Sequence, residues 1–217
     1  MAKRGLLVLI LVCLMAGGIY ARELSIGGGL HFGYEVGDAG VSGPFGIGNL
    51  RLLVDQVGVG GWLFADARFV EFSIGLYGGG LNKSVDIISL LPNLSLSGSF
   101  FAMDFSLLGK FPLGGRFFTI FPLLGIGYQA VLSAQIEGVN LSSPSDLSTF
   151  RIILGVGSDV SLGGGSLFLR TSLMGFYRFA SSFENNFADT MGLIPGVTAD
   201  TFGGLGGALR VGVGFRL

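Results

Sequence analysis

The chain has 217 residues, of which 40 are glycine and 12% are charged, and 13 basic against 14 acidic residues leave a net charge of −1. A nucleic-acid-binding protein needs a basic surplus to neutralise phosphates, so this balance excludes nucleic acid as a partner. A hydrophobic share of 50% excludes a disordered chain, and a content of only 6 prolines excludes collagen.

The N-terminal segment has the pattern of a secretory signal peptide. Two basic residues precede an uncharged, mostly apolar run over 5–20, and the small residue Ala21 stands before a polar pair. This run is shorter than the ~20 residues that a membrane-spanning helix needs. We therefore predict a signal peptide over 1–21 and a mature domain over 22–217, with cleavage after Gly18 as the alternative.

Cysteine use points to the bacterial cell envelope. Cys13 is the single cysteine, and it lies within the predicted signal peptide. The predicted mature chain therefore has no disulfide, no thiol nucleophile and no cysteine ligand for a metal. An exported domain of this size without cysteine is typical of a bacterial envelope protein rather than of a small disulfide-stapled secreted domain.

Alternation of apolar and polar residues with a period of two dominates the rest of the chain. In the first such segment Leu30, Phe32 and Tyr34 alternate with His31 and other polar or bare positions, which is the pattern of a strand. We predict eight strands, over residues 24–36, 57–66, 69–79, 100–111, 117–132, 150–161, 167–178 and 207–217. A membrane helix would fit only the uncharged stretch 117–136, and Pro122 within it disfavours a helix.

The predicted connections alternate between short and long. Short turns follow near Ala67, at 113–116 and at 163–165, and glycine supplies the positive φ that such turns need in the last two. The long connections cover residues 37–56, 80–99, 133–149 and 179–206. This alternation is typical of an all-β, eight-stranded antiparallel up-and-down transmembrane barrel, with long loops outside the cell and short turns in the periplasm.

The charged residues of the predicted strands share one face. The opposite face has no charge and is rich in Phe and Leu, with Tyr34, Tyr128 and Tyr177 near the loop ends as an aromatic girdle. We therefore predict that the charged face, on which Asp66 also lies, lines the barrel interior, and that each carboxylate of the lumen charge network pairs with a Lys or Arg. The predicted lumen charge network consists of Glu35, Glu71, Asp104, Lys110, Arg151, Asp159, Arg170, Arg178, Arg210 and Arg216.

The architecture resembles the small eight-stranded outer-membrane barrels of the OmpA, OmpX and OmpW kind over the whole mature chain. The stretches 107–112 and 121–128 look like barrel proteins of spirochaetes. This resemblance implies residence in the bacterial outer membrane, contact with its lipid, and insertion by the barrel-insertion machinery. Such barrels usually end in an aromatic residue, whereas this chain ends in Leu217 with Phe215 two positions earlier.

The chain offers little for catalysis. Its single histidine, His31, lies on the predicted inward face with no serine or carboxylate fixed beside it by the sequence. Glycine pairs such as Gly155–Gly157 lack the rest of a phosphate-binding motif. We expect no enzymatic activity, no cofactor and no metal.

Two functions remain open from the sequence. The first is a narrow channel or carrier for small, perhaps hydrophobic, molecules, with an apolar mouth formed by Ile87, Ile88, Leu90 and Leu91. The second is a plugged barrel that serves as a structural anchor or a host-contacting surface protein, because an eight-stranded barrel is just wide enough to be filled by side chains. In the second case the inward glycines would make room for Trp62, Phe121, Phe168 and Arg170.

Two pairings of the network can be predicted from the turns. A turn centred on Gly164 and Gly165 places Asp159 opposite Arg170, on the same face of the sheet. Counting depth from the short turns places Asp104, Arg170 and Arg210 together at the middle of the barrel. Asp104 is therefore expected to hold both central arginines.

Overall fold

The fold is an antiparallel barrel of eight long strands. The computed structural model describes residues 24–42, 50–86, 94–115, 117–140, 142–163, 165–182, 185–186 and 198–217. The strands are β1 (Leu24–Ser42), β2 (Leu50–Ala67), β3 (Val70–Asp86), β4 (Leu94–Lys110), β5 (Phe118–Ile136), β6 (Thr149–Ser161), β7 (Leu167–Arg178) and β8 (Thr198–Arg216). A short 3-10 helix, Pro144–Leu147, precedes β6. Within the described ranges, no helix is long and apolar enough to cross a bilayer.

The barrel is closed. Each strand pairs with the next one along the chain, and β8 pairs with β1, which confirms the predicted up-and-down topology. Following paired residues once around the wall from Ser25 leads back to β1 at Glu35. This stagger means that the strands are tilted against the barrel axis, as closure of a sheet requires.

The strands at the long-loop end are longer than predicted. β1 continues to Ser42 instead of ending at 36, and β2 starts at Leu50 instead of 57. β3, β4, β5 and β8 likewise extend into segments predicted as long loops. Backbone pairing persists there although the apolar alternation stops, so the predicted loop boundaries were wrong.

Outward polar residues explain where the alternation stops. Asp55, Asn82 and Ser97 are neighbours on three adjacent strands, two residues beyond the level of Tyr34. From Leu24 to Tyr34, β1 has the ~9–11 residues that a tilted strand needs to cross the hydrocarbon. Beyond this point the outer face contacts water instead of lipid, so the strands continue with polar residues on that face.

β5 is apolar on both faces because both faces contact apolar surroundings. Leu124 and Ile126 are exposed on the outside, while Phe121 and Leu123 are fully buried on the inside. An extra residue at Leu132 shifts the register against β4. The shift brings Ala134 to the inner face, where it is buried.

Two of the short turns match their predictions. Arg68 and Phe69 connect β2 to β3 as a two-residue turn in which Arg68 has a φ of 51°. Between β6 and β7, Asp159 lies opposite Arg170, which confirms the predicted register. Gly163 has a φ of 66° in that turn, and Gly164 lies outside the described residues.

The outer face is apolar over the membrane-crossing part. Exposed residues such as Leu30, Leu63 and Leu154 cover it. The outward hydroxyls of Ser158 and Thr171 lie 2.8 Å apart and share one hydrogen bond, which reduces the cost of placing them in hydrocarbon. Tyr34 is exposed at the long-loop end of this face, as the predicted aromatic girdle requires.

Protease treatment of intact cells tests the orientation of the barrel. We expect cleavage only in the connections at the long-loop end, because these face outward in a barrel of this type. Peptide mapping of the surface-treated protein would locate the cuts. Cleavage near Gly114 or in the 163–165 turn in intact cells would reverse the topology.

Candidate functional site in the barrel interior

The predicted lumen residues lie inside the barrel. All ten point to the interior, and all except the half-buried Arg216 are buried. Their position inside the barrel could be predicted because successive side chains of a strand alternate between its two faces, and these residues share the charged face. They form three clusters, which we call the lower, middle and upper clusters, counted from the short-turn end.

The lower cluster is built around Arg170, whose side chain is 0% exposed. Its guanidinium binds Asp159 through two bonds of 2.7 and 2.6 Å, Glu71 at 2.8 Å and Asp66 at 2.7 Å. Lys110 forms a further ion pair with Asp66. One arginine therefore neutralises carboxylates from three strands on opposite sides of the lumen, and this crosslinks the barrel.

Aromatic rings enclose the lower cluster. The guanidinium carbon of Arg170 lies 4.3 Å from the ring centre of Phe64, 5.3 Å from that of Phe121 and 5.1 Å from that of Phe168. The ammonium group of Lys110 lies 4.7 Å from the Phe121 ring centre. Such cation–π contacts stabilise desolvated cations, and the rings occupy space that water would otherwise fill.

The middle cluster is built around Arg210. Its guanidinium donates to Asp104 at 3.2 Å, to Ser73 at 2.9 Å and to Nδ1 of His31 at 3.1 Å. It also lies 5.2 Å from the ring centre of Trp62. The ring nitrogen that would act as a base already accepts this bond, which favours a structural role for His31.

The upper cluster joins Glu35 to two arginines. Arg151 binds Glu35 at 2.5 Å, and Nε of Arg178 lies 2.6 Å from the other oxygen of Glu35. Arg151 also lies 3.5 Å from Asp104, which links the upper cluster to the middle one. Tyr77 accepts a bond from Arg151 at 3.2 Å. The three clusters thus follow one another along the lumen.

The structure corrects one predicted grouping. In the structure each of the four carboxylates of the predicted network pairs with a Lys or Arg, and Asp66 pairs with Lys110. Arg170, however, binds the lower carboxylates, whereas Asp104 binds Arg210 and Arg151. The predicted level of Arg170 was wrong, because Arg170 and Asp159 are equally far from the turn that joins their strands and therefore lie at the same level.

Sequence reasoning left several interior residues out of the network. Asp66 was placed on the inward face but not in the predicted network, and it accepts bonds from Arg170 and Lys110. Tyr77 and Gln129 bind each other and Arg151. The alternation along each strand would have placed Tyr77 and Gln129 inside the barrel. Because both are neutral, the sequence does not indicate which residues they bind.

Inward glycines accommodate large side chains from neighbouring strands. A Cβ added at Gly157 would overlap the ring of Phe121, and one added at Gly214 would overlap the ring of Phe168. Both rings are 0% exposed. The glycines therefore do not leave a channel, because aromatic rings fill the space that the missing side chains provide.

Substituting Gly157 by alanine tests this packing. We expect Gly157→Ala to destabilise the barrel by about 1–3 kcal/mol, because the new methyl group must displace the buried Phe121 ring. Gly175→Ala is the matched control, since a Cβ there has no neighbour closer than 3.9 Å. Urea unfolding of both variants in lipid vesicles should separate them, and equal stabilities would contradict the packing.

Little empty space remains beside the network. A cavity of about 10 Å³ lies between His31, Glu35, Gln56 and Arg151, among others. A cavity of this size holds about one water molecule. The lumen next to the middle and upper clusters is therefore packed rather than open.

An apolar cluster lies above the charges at the long-loop end. Tyr77, Leu81 and Phe100 pack there, and the 3-10 helix adds the buried Leu147. The predicted apolar mouth of Ile87, Ile88, Leu90 and Leu91 lies outside the described residues, as does the predicted signal peptide. Among the described residues, the apolar cluster at this end is formed by strand residues and the 3-10 helix.

The structure shows no metal centre among the described residues of the interior. Within the described ranges, no three His, Cys, Asp or Glu side chains come together so as to hold a metal ion. The inward carboxylates bind arginine and lysine instead. The arrangement neutralises charge and fills space.

The fold is similar to that of solved outer-membrane barrels. The crystal structure of the outer membrane protein OprG from Pseudomonas aeruginosa matches with a TM-score of 0.50 and 12% identity, over 91% of this chain and 97% of OprG. Ail, the attachment invasion locus protein of Yersinia pestis, matches with a TM-score of 0.34 and 13% identity, over 90% of this chain and 100% of Ail. No protein-family model and no curated protein matches the sequence.

The chain is a small eight-stranded β-barrel of the bacterial outer-membrane class. The closed wall leaves no open sheet edge in the hydrocarbon, and the outer face there is apolar. Together with the fold, this exterior places the protein in the bacterial outer membrane, with the charged clusters inside the barrel.

Proposed function

We propose that this protein is a closed outer-membrane barrel that acts as an anchor and presents its long-loop end at the cell surface. The observation that carries the proposal is the side-chain network that crosses the lumen at three levels. Arg170 alone joins Asp66, Glu71 and Asp159 across the barrel. A solute could pass only if such contacts opened.

Electrostatics supports a permanently closed lumen. Taking two charges out of water is expensive, and breaking a buried pair by removing one partner typically costs about 3–5 kcal/mol. Opening a passage beside Arg170 would separate several such pairs at once. The narrow channel predicted from the sequence thus has less support than the plugged barrel.

The remaining roles follow from the same interior. We propose that the barrel is not an enzyme, since His31 is held by Arg210 and buried. We propose outer-membrane lipid and the barrel-insertion machinery as its partners, on the basis of its apolar exterior and its strand topology. Host molecules at the cell surface would contact the long-loop end.

Conductance measurement tests the proposal. We expect the refolded barrel in planar bilayers to give no stable ion conductance, because the charges and rings leave no continuous water path. A large open porin in the same bilayers is the positive control. Uniform conductance steps, or swelling of liposomes in sugar solutions, would overturn the closed barrel and favour the channel.

A further inference from the structure

The outer wall of the barrel carries an apolar groove of about 450 Å³. Five neighbouring strands, from β7 through β8, β1 and β2 to β3, contribute to it. The lining residues that matter for its shape are Phe32, Tyr34, Val59, Gly78, Leu173 and Gly207. Its volume is within the ~300–1,000 Å³ range of small-molecule sites.

Missing side chains on the outer face create the groove. Gly78 and Gly207 lie at outward positions, and the exposed side chains of Phe32, Val59 and Leu173 stand around them. On the opposite side of the barrel, by contrast, bulky outward residues follow one another without such gaps, among them Leu124, Ile126, Ile152 and Leu154. The recess is therefore a local feature of one side of the wall.

The chemistry of the lining selects hydrocarbon. No lining residue has a charged or amide side chain, and the hydroxyl of Tyr34 is the one side-chain polar group among them. The exposed lining residues continue directly into the apolar face that contacts lipid. A ligand with polar groups along its length would leave them unpaired in this groove.

We propose that the groove binds one acyl chain of a membrane lipid, with the lipid's polar end toward Tyr34. In a bilayer, apolar surfaces gain nothing from leaving water, so association there depends on van der Waals packing. A chain in this shallow groove contacts its floor and the side chains that flank it, so it makes more contacts with protein than a chain on the smooth part of the wall. The groove therefore holds its chain longer than the rest of the wall.

Photolabelling in vesicles tests this site. The barrel is refolded into phosphatidylcholine vesicles that contain a trace of phospholipid with a diazirine on its acyl chain, and the labelled peptides are mapped after irradiation. We expect about twofold more labelling at the groove residues Val59 and Leu209 than at the equally outward Leu124 and Leu154, because a chain in the groove makes more contacts with protein.

Two leucine variants distinguish the groove from general lipid contact. Gly207→Leu fills the groove, and the nearest atom to a Cβ there is a backbone oxygen at 3.5 Å, so the wall accommodates it. Gly109→Leu is the matched control on β4, where the nearest atom to the Cβ is at 3.4 Å. Gly207→Leu should reduce groove labelling to the level of the opposite side, and Gly109→Leu should leave it unchanged.

Three results would overturn the acyl-chain site. Even labelling around the wall would show that no chain is held preferentially. Groove labelling that persists in a folded Gly207→Leu barrel would place the chain elsewhere, and Gly207→Ala provides the same test if the leucine variant does not fold. A dimer in sedimentation that Gly207→Leu dissociates would assign the groove to a second copy of the chain.

Discussion

Replacing Arg170 by alanine is expected to destabilise the barrel by at least about 3–5 kcal/mol, the usual cost of breaking one buried pair. The substitution leaves Asp66, Glu71 and Asp159 buried, and only Asp66 keeps a cationic partner, Lys110, among the described contacts. It also removes a cation from the rings around it. Urea unfolding in lipid vesicles measures the loss, provided that the variant still folds.

Two further substitutions separate the network from charge alone. Arg216→Ala removes a half-buried arginine that donates to Ser161 at 3.0 Å, and it should cost well under half as much. Arg170→Lys keeps the charge but cannot form the forked bonds to Asp159, so its stability should lie between those of the other two variants. Equal stabilities of Arg170→Ala and Arg216→Ala would contradict the proposed role of Arg170.

Replacing Asp104 by alanine is expected to cost about 3 kcal/mol, toward the lower end of the range for a broken buried pair. Among the described residues, Asp104 is the carboxylate that contacts Arg210, whereas Arg151 keeps its bond to Glu35. The variant therefore leaves one arginine buried without a carboxylate. In a wide, wet pore, water would screen the same charges, and the loss would be well under about 1 kcal/mol.

The control for Asp104 is a carboxylate outside the lumen. Asp55 points outward beyond the level of Tyr34 and is half-buried. Asp55→Ala should change the stability by no more than about 0.5 kcal/mol, as is usual for surface positions. A loss for Asp104→Ala as small as that for Asp55→Ala would exclude the packed middle cluster and favour a hydrated channel.

The sequence determines which face each residue occupies because a barrel wall has two different surroundings. Asp104 and Lys110 share parity with Phe100 and Leu108, and all four lie inside. The register between β6 and β7 was also predictable, since a tight turn leaves few alternatives and one residue of slip would bring Asp159 to the lipid face.

Heights inside the barrel could not be predicted from single strands. The turn between β6 and β7 places Arg170 at the level of Asp159, but it does not set the height of Arg170 relative to Asp104 and Arg210 on other strands. The stagger of the closed barrel is a property of all eight pairings together. A long arginine side chain adds several ångströms of reach that the sequence does not specify.

The ends of the strands and the filling of the lumen could not be predicted from the alternation of apolar and polar residues. They depend on where the lipid ends and on which side chains lie across the lumen. Beyond Tyr34 the backbone pairs of β1 and β2 continue in water. A charged side chain such as Asp55 stays hydrated on the outer face there. The role of Gly157 depends on the Phe121 ring from the adjacent strand. Glycine in a strand pattern indicates close approach, but not which group approaches.

Quenching of Trp62 fluorescence tests the packed lumen most directly. Trp62 is the single tryptophan of the chain, it points into the barrel, and it is 2% exposed between Phe64 and Arg210. In the refolded barrel we expect iodide and acrylamide to quench its emission hardly at all, because no water path reaches the ring. Quenching close to that of the urea-unfolded chain would contradict the closed barrel and show that the lumen is an open, water-filled channel.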